Sequence, residues 1–108
     1  MSAEYMHIGI PILNKKPGMT HCEGPKFWVS NVDDYDYKIE YLKFEEGTPF
    51  PEILNRQWHV AFKVDDIEKY VGEADRVLVP IMQANDEGDR LAFIEVDGAI
   101  IEVYEPAK

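Results

Sequence analysis

The stretch Arg90-Leu-Ala-Phe-Ile-Glu-Val-Asp97-Gly98-Ala-Ile-Ile-Glu102-Val-Tyr104-Glu-Pro106 decides the reading of this chain. Two runs rich in Ile, Val, Phe and Tyr flank an Asp-Gly pair, and Gly accepts the positive φ that a two-residue hairpin turn demands. The segment therefore predicts two antiparallel strands. Along the second, Ala99, Ile101 and Val103 share one face, while Ile100, Glu102 and Tyr104 share the other. A carboxylate set among Ile100, Ile101, Val103 and Tyr104 must face water or something that compensates its charge. Glu102 is the residue to explain.

Upstream of the hairpin, Trp58-His-Val-Ala-Phe-Lys-Val64 predicts a strand with His59, Ala61 and Lys63 on one face and Trp58, Val60, Phe62 and Val64 on the other. Asp65 and Asp66 supply capping oxygens, and Ile67, Tyr70, Val71, Ala74 and Leu78 fall at helical spacing. Val77–Met82 returns as a short strand whose Pro80 indicates an edge, and Ala84–Asp89 is a turn. From Trp58 onward the order is βαβββ.

The N-terminal part follows the same order without a helix. Met6–Ile12 predicts a strand with His7 and Gly9 on one face. Asn14–Gly18 is a loop by its turn residues. Brief strands follow at Met19–Cys22 and Lys26–Asn31, then an acidic turn at Val32–Asp36 and a longer strand at Tyr37–Phe44, where Glu40 shares a face with Leu42 and Phe44. Glu45–Gln57, with Gly47, Pro49 and Pro51, is a long connection with one helical turn near Pro51–Asn55. Each part opens with a histidine strand, His7 or His59, and closes with a glutamate strand, Glu40 or Glu102, which indicates structural pseudo-repetition.

At 108 residues the chain has the length of one domain. A hydrophobic fraction of 45% and an aromatic fraction of 12% describe a folding chain. The formal net charge of −10 argues against nucleic acid and against anionic membrane surfaces as partners. No apolar run reaches the roughly 18 residues of a spanning helix, and the opening Met1-Ser-Ala-Glu-Tyr5 lacks the pattern of a signal region, so a cytoplasmic protein is expected. Cys22 has no second cysteine with which to pair and reads as a small, partly buried side chain.

Two imidazoles and one or two carboxylates form a donor set suited to a divalent transition metal, Zn, Ni, Co, Mn or Fe, and the set does not choose among them. Taken singly, a strand histidine is more often a hydrogen-bonded structural residue, and a strand glutamate more often faces water. Their placement at repeated positions is what favours a site. Lys63, on the face of His59, is a cleft residue or, as the preferred reading, a surface lysine. Tyr104 lines a cleft or packs at its mouth. His21 belongs to an exposed loop or to a pocket rim.

The run from Trp58 to Pro106, with His-Val-Ala-Phe-Lys-Val-Asp-Asp, Val-Leu-Val-Pro, Arg-Leu-Ala-Phe-Ile and Asp-Gly-Ala-Ile-Ile-Glu-Val-Tyr-Glu-Pro, resembles the vicinal oxygen chelate superfamily of glyoxalase I, bleomycin-resistance proteins, extradiol dioxygenases and methylmalonyl-CoA epimerase. The N-terminal part resembles it more loosely, through Met6-His-Ile-Gly-Ile and Lys38-Ile-Glu-Tyr, and departs from it by lacking the first helix. The resemblance implies an α+β fold in which two βαβββ modules, here roughly 5–57 and 58–108 with the first lacking its helix, pair into an open, barrel-like sheet of eight strands around a cleft. It implies that His7, Glu40, His59 and Glu102 are metal ligands and that Glu102 or Glu40 moves a proton. The expected activity is that of a metal-dependent lyase or isomerase, in which the metal chelates vicinal substrate oxygens and stabilises an enediolate. Alternatives are a non-catalytic small-molecule binding protein of the bleomycin-resistance type and an Fe(II) dioxygenase. The expected partners are a small molecule, bound with help from Tyr104 and Lys63, and a second copy in a homodimer, with Trp28, Phe50 and Trp58 as candidates to cover surface.

Overall fold

The computed structural model describes residues 3–108. They form a mixed α+β structure of eight strands with two short α-helices and one 3-10 turn. Contacts divide the described residues into two units, one of them His7–Trp58 and the other His59–Lys108 joined by residues 3–6.

In the second unit, β5 (His59–Val64) is followed by α2 (Ile67–Gly72), β6 (Arg76–Gln83), β7 (Arg90–Val96) and β8 (Ala99–Glu105). The strand order is β5-β8-β7-β6. β5 pairs parallel with β8, and the other two pairings are antiparallel. The β7–β8 turn is the one expected: Asp97 has φ 53° and Gly98 φ 81°, the two positive values of the primed turn that suits twisted strands. β6 is the edge strand, and its register shifts between Val77 and Val79 and again between Val79 and Met82, across Pro80, which cannot donate to a ladder.

The helix is shorter than its apolar spacing suggests. It ends at Gly72, and Leu78, expected on its face, lies instead in β6. Asp75 is already committed to the sheet: its N–H donates to the Glu95 carbonyl and its carboxylate accepts from the Asp97 N–H. The residues that remain on the helix suffice for a core. Ile67 is fully buried and packs with Val64, Ala92, Ile94 and Val103, supported by Tyr70, Val71 and Ala74. Asp66 caps α2 through the Lys69 N–H.

The first unit repeats the strand order. β1 (Ala3–Pro11, of which His7 onward belongs here), β2 (Thr20–Cys22), β3 (Phe27–Val29) and β4 (Ile39–Phe44) are arranged β1-β4-β3-β2, with β1 parallel to β4 and the others antiparallel. Residues 12–19, between β1 and β2, contain no helix. The acidic turn is a 3-10 turn at Val32–Asp34 capped by Asn31, and the long connection carries α1 (Ile53–Arg56). Leu54 of α1 is fully buried, and Phe50 packs edge-on against Phe27 and at a tilt on Phe44, so the connection covers the Glu40 face of β3 and β4.

On the other face of this sheet, Trp28 and Tyr41 carry lysines in place of a helix. Lys15 Nζ stands 3.9 Å from the Trp28 ring centroid and Lys16 Nζ 4.7 Å from that of Tyr41. Both lysines come from the β1–β2 loop.

Candidate metal centre

In a parallel pair, a side chain reaches its neighbours on the next strand both directly across and diagonally. In the second unit, Glu102 stands directly across from Ala61, two residues beyond His59 on the same face of β5. The alanine leaves space for the carboxylate to lean back toward the histidine. His59 Nε2 and Glu102 Oε1 are 3.2 Å apart, and both side chains are buried, at 2% and 8% exposure. Phe93, directly across from Glu102 on β7, sets its ring edge-to-face with His59, with centroids 5.0 Å apart.

The first unit builds the same arrangement. Glu40 stands directly across from Gly9, two residues beyond His7 on β1. His7 Nε2 and Glu40 Oε1 are 3.4 Å apart, with His7 buried and the Glu40 side chain 20% exposed. A small residue, glycine here and alanine there, occupies the corresponding position in both sheets. Cys22 is half-buried, and burial together with the Glu40 charge pushes its thiol pKa up, which keeps it in the thiol form.

Each of these four side chains offers one ligand atom, an imidazole nitrogen or a carboxylate oxygen, and His7, Glu40, His59 and Glu102 are a group that could hold a metal ion. The donor chemistry fits a borderline divalent cation, since imidazole and carboxylate both serve Zn, Ni, Co, Mn and Fe.

The other expected residues lie as follows. Tyr104 is on the Glu102 face of β8, and its hydroxyl donates to Asp89 Oδ2 and accepts from Asn85 Nδ2. Burial and the Asp89 carboxylate hold its pKa well above the usual phenol range. Lys63 is exposed at the far end of β5, lining a groove with Glu4, Asp65 and Lys108. His21 lies at a tilt against Trp28 and pairs with Glu45 at 2.7 Å, on the sheet face opposite Glu40, and that hydrogen bond holds the Glu45 pKa low. Trp58 is 63% exposed.

Phe93 escaped the sequence reading as a site residue, as did Glu105. Glu105 is buried; one oxygen accepts from the Ile67 N–H at the start of α2 and the other from Arg90, which also forks onto Glu68. Both residues were within reach, because a two-residue turn at Asp97-Gly98 pairs Phe93 with Glu102 and Arg90 with Glu105.

No family model matches the sequence, and no curated protein matches it. Among the described residues, no helix is long and apolar enough to cross a membrane.

Proposed function

We propose that the two His–Glu pairs are ligands to a single divalent metal ion, and that the chain is a metal-dependent lyase or isomerase of the glyoxalase type. The observation that carries this reading is the repeated register. In each unit a glutamate on the fourth strand lies across from a small residue two places beyond a histidine on the first. Two unrelated structural pairs would have no reason to share that largely buried geometry, whereas two half-sites of one centre do. The shared strand order supports the finer fold assignment, paired βαβββ modules of the vicinal oxygen chelate type closing on a cleft, with the first helix replaced by a loop.

A bound divalent ion supplies Lewis-acid stabilisation of negative charge on adjacent substrate oxygens. The residues do the rest. His7 and His59, both buried, hold the cation with neutral imidazole nitrogens. Glu40, the less buried carboxylate, is the better placed to accept and return a proton, while Glu102, fixed beside His59 and Phe93, stays a ligand. Tyr104, with its hydroxyl proton committed to Asp89, offers substrate its ring rather than a proton. A small oxygen-bearing molecule as substrate and a homodimer as the assembled state belong to the same reading.

The test is metal stoichiometry on protein stripped of ions and supplied in turn with Zn, Ni, Co, Mn or Fe(II). The wild type binds one ion per chain, His7→Ala and His59→Ala each abolish binding, and affinity falls in acid because the imidazoles must be neutral to ligate. Two ions bound by the wild type and one kept by each variant would mean two separate sites, and a variant that keeps the single ion would remove that histidine from the ligand set. Absence of binding by the wild type would replace the enzyme with a ligand-binding module.

A further inference from the structure

The sheet of the second unit has two faces, and the one opposite His59 and Glu102 is only partly covered. Six residues of α2 span about 9 Å at 1.5 Å per residue, less than half the length of the seven-residue strands beneath, which rise about 3.3 Å per residue. Beside the helix this leaves a cavity of about 380 Å³, lined by Phe62, Ile94, Ile101 and Val103 from the sheet and by Tyr70 and Glu73 from the helix end. That volume lies in the range of small-molecule sites, roughly 300–1,000 Å³.

The charge around the cavity selects what can enter. Among the described residues that line it, Glu73, exposed at the C-terminal end of α2, is the only charged one. Lys69 holds its ammonium over the Tyr70 ring, 5.5 Å from the centroid, and is not part of the lining. Arg76, on the neighbouring edge strand, is paired with Glu95 at 3.3 Å. An apolar acid entering this cavity would bring its carboxylate beside that of Glu73. An apolar amine would gain a counter-ion there while its hydrocarbon displaced water from the half-buried Phe62, Val96 and Ile101.

We infer that this cavity is a ligand site for a hydrophobic amine, its alkyl or aryl body against the sheet and its ammonium at Glu73. The site uses none of the four proposed metal ligands and stands or falls separately from them. The probes are decylammonium and decanoate, below their micelle concentrations and at about 0.15 M salt, where long-range attraction to the acidic protein is screened. They are titrated into the ¹⁵N-labelled full chain and followed by amide chemical shifts. Decylammonium shifts the amides of Val64, Ile94 and Ile101 and binds at least tenfold more tightly than decanoate. Glu73→Lys, at an exposed position, reverses that order, and Val96→Trp, which fills the cavity from a half-buried position, abolishes both. Should Val96→Trp fail to fold, Glu73→Lys still decides. Equal binding of the two probes, or an unchanged preference in Glu73→Lys, overturns the inference. So does a concentration-dependent doubling of mass in sedimentation that Val96→Trp removes, since the occupant would then be a second copy of the chain.

Discussion

The two units share a strand order and a His–Glu register, and they differ in what covers the sheet face away from the glutamate. In the second unit a capped helix buries Val64, Ile67, Ala92, Ile94 and Val103 as one core. In the first, Ile8, Ile10, Ile39 and Tyr41 of the corresponding face are only half-buried, and lysines from the β1–β2 loop lie over Trp28 and Tyr41. One cover is apolar burial, while the other is a charged tip on a ring with water close by. The part the two units share is thus the His–Glu register of a parallel strand pair. The variable part is the layer behind it.

The difference extends to single residues. Three places beyond Glu102 stands Glu105, which ties the start of α2 to β8 through the Ile67 N–H. Three places beyond Glu40 stands Lys43, whose ammonium donates to the Phe44 carbonyl. Where there is a helix to anchor the chain supplies a buried carboxylate, and where there is none it supplies a lysine.

The largest expected effect comes from removing the helix's anchor. Ile67→Ala deletes a fully buried side chain and should cost about 3 kcal/mol, within the usual range for large-to-small core changes. Urea denaturation followed by far-UV circular dichroism measures it. A loss below about 1 kcal/mol would show that α2 is no better a cover than the loop of the first unit, and the comparison would break.

Glu105→Gln sharpens the same contrast through pH. The Ile67 N–H, and after it Arg90, hold the Glu105 carboxyl below its ordinary range in the folded state. A depressed folded pKa means that the stabilisation is complete above the unfolded value, about 4.3 for glutamate, and is lost as pH falls through the folded one. The variant should be about 2 kcal/mol less stable at pH 7, the order expected for hydrogen bonds to a charged group. That gap should close below about pH 4. Denaturation midpoints at pH 7, 5 and 3 (roughly bracketing that value) follow it, and a gap that stays constant down to pH 3 would remove Glu105 from the acid response.

Much of this was legible in the residues, for identifiable reasons. The Asp97-Gly98 turn fixed the closing hairpin because positive φ narrows the choice of residue so strongly, and strand parity put His7, His59, Glu40 and Glu102 on the right faces because parity survives errors of a residue or two at strand ends. The helix end was misread because Leu78 happens to continue the helical spacing of Ile67, Val71 and Ala74, and only the commitment of Asp75 to the sheet excludes it. The Asp89 hold on Tyr104 spans 15 residues and the lysine cover joins Lys15 to Trp28. Neither leaves a periodic signal, since loops are placed by tertiary contacts.

The smallest expected effect tests the weaker cover. Cation–π contacts at partly exposed sites contribute about 0.5–1 kcal/mol each, and the lysine stems add some apolar shielding of the rings. Lys15→Ala combined with Lys16→Ala should therefore lower stability by about 1 kcal/mol in urea. That loss should respond weakly to salt, because the contacts are short compared with the Debye length of about 10 Å at 0.1 M ionic strength. Fluorescence should report it locally as well, since Trp28 loses an ammonium from its ring face while the exposed Trp58 does not. A loss as large as that of Ile67→Ala would make the loop the structural equal of a helix. No loss at all, with an unchanged Trp28 signal, would mean that the sheet of the first unit keeps its stability on the opposite side, through Leu54, Phe50, Phe27 and Phe44.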